Sequence, residues 1–169
     1  MRSDIPFVGS TREKLITAGF AHFCRHEFTA VDVDAVAADA GVTVGSLYHH
    51  FTSKLSFYGV LRDEMTQRLL DRMEAAAEAV PIEMALTAAA LAGYDGSIRL
   101  NVGRLFTDPD PRASDDKIAV YLGSLAQHRT GATALGHILA AAIRAAVKQG
   151  GEIPEQQTLA RKALAQIAR

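Results

Sequence analysis

Apolar residues recur at helical spacing along almost the whole chain, and polar punctuation divides that pattern into successive segments. Ser10-Thr11-Arg12-Glu13 has the spacing of a capping box, in which Ser10 accepts from the Glu13 backbone N–H and Glu13 reaches back. A helix should follow to about His26, with Leu15, Ile16, Gly19, Phe20 and Phe23 on one face. Residues 1–9 lack any such face and read as a loose arm. Phe28 begins a connection, and Asp32 is placed to cap a second helix through Val33, Val36, Ala37 and Ala40.

Gly41 then marks a sharp turn, because a helix that stops and re-enters another within a few residues needs positive φ at its end. Val42 can fill the angle, Thr43 can cap the third helix, and Leu47 points back to the core. Ser53 opens a long helix to about Val80, striped by Tyr58, Leu61, Met65, Leu69 and Met73, with Glu64 placed to pair with Arg68. Pro81 ends it. The segments Ile82 to Gly93, Ser97 to Phe106 and Ser114 to Gln127 read as three further helices, separated by Tyr94-Asp95-Gly96 and by the loop from Thr107 to Pro111. Ser114, Asp115 and Asp116 give the last of these an acidic first turn. Two more helices close the chain. One carries Leu135, Ile138, Leu139, Ala142, Ile143, Ala146 and Val147 and ends at Gly150-Gly151; the other starts at Pro154 with Leu159, Ala163, Leu164 and Ile167.

The pattern predicts an all-α fold. Its 169 residues, 49% of them hydrophobic, suffice for one or two domains. A net charge of −1 excludes a broadly basic nucleic-acid coat, though a specific binder needs only a few placed donors. Through residue 55 the cations are Arg2, Arg12, Lys14, Arg25 and Lys54, fewer than the carboxylates. The single cysteine, Cys24, forms no intrachain disulfide and suits a reducing cytoplasm. The run from Thr130 to Ile143, free of charged residues, is too short to span a bilayer, and the N-terminus has no apolar signal region. A soluble cytoplasmic protein with no membrane partner is expected.

The spacing Ala37, Gly41, Val42, Leu47 is that of a helix-turn-helix, although many helical hairpins share it. The continuation is more specific. Gly45-Ser46-Leu47-Tyr48, His50-Phe51 and Ser53-Lys54, together with Ala18, Phe20 and Phe23, resemble the signature of the TetR family of bacterial transcriptional regulators from about Arg12 to Phe57. The resemblance implies a DNA-binding domain of three helices over residues 1–53, then a helical ligand-binding and dimerisation domain over 54–169. Two positions depart from the family pattern: Glu27 stands where glycine is usual, so that turn must differ or be strained, and Leu55 where an acid is common.

Recognition helices present their N-terminal residues to base edges, so Thr43, Val44, Gly45 and Ser46 are expected in the major groove. The resemblance makes Tyr48 and Lys54 the phosphate anchors and His49 a variable contact. Arg12, with Thr11, is a candidate for a neighbouring phosphate. Capping and solvation are the alternative roles of Thr43, Ser46 and Arg12, and His50 is assigned to packing beside Phe51. Val44 and Gly45 offer no side-chain donor, so readout should use methyl contacts and close backbone approach.

In the second half, Tyr94, Arg99, Asn101, Arg104, Tyr121 and His128 interrupt alanine-rich helices and are the candidate effector-binding groups. The resemblance implies a small apolar effector, a palindromic double-stranded DNA operator and a homodimer formed through the last two helices. No cofactor or metal is implied. His22 and His26 lie one turn apart, but no third ligand accompanies them, and Cys24 lacks a partner for nucleophilic chemistry. The expected function is repression released by the effector. A dimeric interaction protein without effector is one alternative. A helical enzyme is another, but no nucleophile, base and orienting group occur at recognisable spacing.

Overall fold

A computed structural model describes residues 9–150 and 154–168. Among these residues there are nine helices and no strand. The first is α1 (Thr11–Phe23), capped by the Ser10 hydroxyl, which accepts from the Glu13 N–H at 3.2 Å. Glu13 reaches back one residue beyond the cap, its carboxylate accepting from the Gly9 N–H at 2.6 Å. This helix ends three residues before the expected His26.

Two short helices complete the head. α2 (Val33–Asp39) is capped by Asp32, and α3 (Val44–Phe51) by Thr43, whose hydroxyl accepts from the Ser46 N–H. Between them the Val42 N–H donates to the Ala37 carbonyl and the Gly41 N–H to the Ala38 carbonyl, with Gly41 at φ +67°. This is a Schellman closure, which satisfies the last carbonyls of α2 and turns the chain at once into α3.

α4 (Lys54–Glu78), capped by Ser53, is the axis of the molecule. Leu61, Leu69 and Met73 are fully buried along it and Met65 nearly so, each contributing about 1.5–3 kcal/mol by leaving water. The first turns of α4 join the head through aromatic contacts. Phe57 lies 4.5 Å from Phe51 of α3, and Tyr58 lies 5.2 Å, edge to face, from Phe23 of α1. Gly19 permits this approach, since a Cβ there would fall 2.4 Å from the Phe57 ring. One continuous buried cluster therefore runs from Leu15 into the C-terminal helices.

The body adds α5 (Ile82–Arg99), α6 (Gly103–Thr107), α7 (Lys117–Leu125), α8 (Ala132–Gly150) and α9 (Pro154–Ile167). Three expectations from the sequence are corrected. Tyr94-Asp95-Gly96 does not interrupt α5, which continues to Arg99. Its glycines are close-approach positions: added Cβ atoms would lie 3.1 Å from the Met73 sulfur at Gly93 and 3.2 Å from Leu69 at Gly96. The break comes at Asn101 and Gly103, both at positive φ, and the expected helix Ser97 to Phe106 is split between α5 and α6. The third expected helix starts at Lys117 with Asp116 as its cap, so Ser114 and Asp115 precede it. No helix among the described residues is long and apolar enough to cross a membrane.

Candidate nucleic-acid interface

The orientation of α3 follows from two residues one turn apart, Leu47 and Phe51, both buried against the head's core. Their burial turns the opposite face outward. Gly45 and His49 are exposed there, as is Tyr48 at 42%. Thr43 is exposed at the helix start, and Val44 and Ser46 are half-buried. Among the described residues the Tyr48 hydroxyl has no hydrogen-bond partner, so an apolar ring and a free donor stand side by side in solvent. His50, assigned from sequence to packing, is exposed; its ring lies 5.6 Å from His49 and 6.1 Å from Phe51. Both imidazoles occupy the last turn of α3, where the helix dipole favours positive charge.

Thr52 ends α3 at φ +53° and ψ −35°, with the Phe51 carbonyl accepting from the Ser53 N–H. That is a γ-turn on a β-branched residue, a sparsely populated conformation. It aims α4 away from α3. Lys54, at the first position of α4, folds back toward the turn after α1: its ammonium donates to the Val31 carbonyl at 2.5 Å and to the Thr29 carbonyl at 3.4 Å, and lies 5.0 Å from the Phe28 ring centre. Burial lowers its pKa, opposed by nearby Asp32. Two of its three donors are thus occupied within the chain, which the sequence alone did not indicate.

Arg12 flanks the head, half-buried, with its guanidinium 5.6 Å from the Phe51 ring centre. The His22 Nε2–H donates to the Asp39 carboxylate at 2.6 Å, tying α1 to α2, while His26 lies past the end of α1. No cluster of three or more His, Cys, Asp or Glu suited to a metal occurs among the described residues. Burial pushes the Cys24 thiol up to about 11, with Arg25 opposing, so it is protonated at neutral pH and a poor nucleophile.

The usual glycine position, Glu27, has no positive φ. Instead the turn is built differently, and the Glu27 carboxylate is used: it accepts from Arg104 of α6 at 2.6 Å. Arg104 also donates to Asp108, and its backbone N–H donates to the Cys24 carbonyl at 2.8 Å. The head is therefore fastened to α6, and α6 in turn to α4. Buried Arg62 donates to the Tyr58 hydroxyl and to the carbonyls of Leu105 and Asp108 at 2.7–2.9 Å.

A cavity of about 590 Å³ lies beside that junction, between α4, the segment from Phe106 to Ile118, and α8. Met65, Phe106 and Ile118 form its apolar wall. The remaining wall is ionic. Arg112 bridges Asp63 and Asp110, and Arg144 makes a two-pronged contact with Asp116. Burial raises the Asp110 carboxyl, but hydrogen bonds from the Arg112 side chain and backbone and from Ser114 outweigh it and hold the group down at about 2.

None of the cavity's charged groups was among the sequence candidates, and the six candidates do not converge. Tyr94 is fully buried, its hydroxyl without a partner among the described residues and its ring centre 5.9 Å from the Arg161 guanidinium. Arg99 and His128 are exposed, and Tyr121 is half-buried with its phenol pKa raised by burial and by Glu74 and Glu78. Arg104 is engaged with Glu27 and Asp108, and Asn101 lines a different groove. Spacing identified isolated polar groups; the ionic wall depends on partners 28 and 49 residues apart.

An exposed helix held by a glycine turn on a three-helix head, joined to a helical body, defines a helix-turn-helix fold. Residues 15–58 match the model of the tetR family of bacterial regulatory proteins. No curated protein matches the chain in sequence. The whole fold is similar to a TetR-like transcriptional regulator from a Rhodococcus species, with 19% identity, 97% of this chain and 96% of that one covered, and a TM-score of 0.75. It is also similar to the fatty acid degradation regulator FadR from Bacillus halodurans (16% identity, 99% and 96% covered, TM-score 0.72) and to the regulator PfmR from Thermus thermophilus (16%, 92% and 97%, 0.70).

Proposed function

We propose that this protein is a homodimeric, ligand-responsive repressor that reads a palindromic operator. The observation that carries the reading is the outward face of α3, fixed by burial of Leu47 and Phe51 on the opposite side. In this reading residues 1–53 are the DNA-binding unit and residues 54–169 the effector-binding and dimerising unit. Thr43 to Ser46 enter the major groove, Tyr48 and Arg12 hold phosphates, Lys54 adds its remaining N–H, and His49 contacts base or backbone.

Affinity requires two heads, because one head with so few cations binds weakly and linkage raises the local concentration of the second. The partner surface is α8 and α9. Ile138 and Leu159 are exposed at 56% and 66%, and a groove of about 510 Å³ between the two helices is lined largely by alanine, with Leu159 and Ile167. Small side chains let helices approach closely, so a second copy would cover this face.

The effector site is the 590 Å³ cavity, which supports this reading over an effector-free interaction protein. Its ionic wall shifts the expected effector from a purely apolar molecule to one that also carries polar groups able to compete with the arginine–carboxylate pairs. Such a molecule displaces the segment around Asp108 to Arg112, and Arg62 and Arg104 pass the change to α4 and α1. It shifts the head spacing only by binding one state more tightly than the other. Mobility shift of genomic fragments with purified protein tests the reading. Retardation of a selected palindromic fragment by dimer, abolished in Tyr48→Ala, is expected; no sequence-selective retardation at moderate salt overturns it.

A further inference from the structure

A second recess, of about 670 Å³, runs along the seam between head and body, apart from the ionic cavity. One wall is made by Arg12, Ile16 and Phe20 of α1 with Cys24 and Arg25 just past its end, and the other comes from α4 and residues 100–102. From Arg12 to Phe23, the end of α1, is 11 positions, or roughly 16 Å at the helical rise, and Arg25 lies beyond it, so the recess suits an elongated molecule. Ile16, Phe20, Met65 and Val102 make its middle apolar, with the Arg68 guanidinium 5.8 Å from the Phe20 ring centre and already paired with Glu64.

The two ends differ. At the Arg12 end Glu13 also lines the recess, and the Arg12 guanidinium faces Phe51. At the Arg25 end no carboxylate of the described residues lines it, and nearby Glu27 is turned to Arg104. Arg25 is exposed and makes no side-chain hydrogen bond or ion pair within the described chain, and neither does Asn101, held at φ +49° on the opposite wall. An apolar trough thus ends in a free guanidinium and a free amide, donors suited to a carboxylate.

We propose that this recess is a binding site for an elongated amphipathic anion, its carboxylate between Arg25 and Asn101 and its hydrocarbon body along Ile16, Phe20 and Met65. Because the walls belong to different parts of the molecule, occupancy bridges α1 and α4 and favours the head orientation seen here. The site stands apart from the DNA-binding reading, and its test involves no DNA.

The probe is decanoate, titrated calorimetrically into the full-length protein, with decanol as the uncharged counterpart. Saturable binding of one decanoate per chain is expected, with decanol at least threefold weaker and a rise in melting temperature by mass action. Arg25→Ala, a solvent-exposed change, should weaken decanoate three- to tenfold, and Thr17→Trp, which fills the recess from its rim, should abolish binding. Lys148→Ala, exposed on α8, should bind as the unmodified protein does. Absence of saturable binding, equal affinity for decanol, or unchanged affinity in either recess variant overturns the proposal.

Discussion

The carbonyl oxygen of Cys24 lies 2.1 Å from where a Cβ on Gly103 would stand, so the end of α1 and the start of α6 meet backbone to backbone. Gly103 is also at φ +44°. Gly103→Ala should therefore cost more than backbone strain: it should also break the Arg104 N–H to Cys24 carbonyl bond. Gly131→Ala, at φ +81° with nothing within 4 Å, is the control and should cost about 1–2 kcal/mol. Urea unfolding should place Gly103→Ala at least about 1 kcal/mol below that control; equal losses would show that the head–body contact is loose.

Tyr48 and Lys54 separate recognition from stability. Tyr48→Phe removes a hydroxyl with no partner among the described residues and should leave stability within about 0.5 kcal/mol while weakening operator binding. Lys54→Ala removes the tie to the Thr29 and Val31 carbonyls and should lower stability by about 1–2 kcal/mol. Paired thermal melts and mobility shifts check both; a destabilised Tyr48→Phe would contradict the exposed geometry of α3.

The γ-turn at Thr52 holds strain that glycine would relieve. Thr52→Gly trades a strain of about 1–3 kcal/mol against a flexibility cost of about 0.5–1 kcal/mol, so a higher melting temperature is expected. A lower one would mean that the threonine side chain contributes more than its backbone costs.

Asp110 should dominate the acid sensitivity of the ionic cavity. Its folded pKa, about 2, lies below the ordinary carboxyl value, so its stabilisation is present above about pH 4 and lost as pH falls through about 2. That contribution is about 2 kcal/mol. The stability difference between the unmodified protein and Asp110→Asn, measured by urea unfolding across that window, should shrink as pH falls; a constant difference would remove Asp110 as the titrating group.

Ile138→Glu tests the partner surface. Exposed at 56% on α8, the residue should tolerate a charge in the monomer yet prevent a second copy from burying it. Light scattering should report monomers at concentrations where the unmodified protein is dimeric, with an unchanged circular dichroism spectrum.

The sequence by itself determined features whose causes are local. Ser10, Asp32, Thr43 and Ser53 cap helices because each needs only the N–H groups two or three residues ahead, and Gly41 turns the chain because positive φ is a property of one residue. The face of α3 was likewise legible from Leu47 and its neighbours. Tertiary structure decided what depends on distant partners. Tyr94-Asp95-Gly96 read as a break, yet Gly93 and Gly96 are where α5 meets Met73 and Leu69 of α4. Glu27 read as a turn departing from its family, yet it is the acceptor for Arg104, 77 residues away. Lys54 read as a phosphate anchor, yet two of its donors are held by the Thr29 and Val31 carbonyls, and the ionic wall of Arg112 and Arg144 was not legible at all. Capping and turn chemistry are set within one helical turn, whereas ion pairs and close approaches exist only once the helices have met.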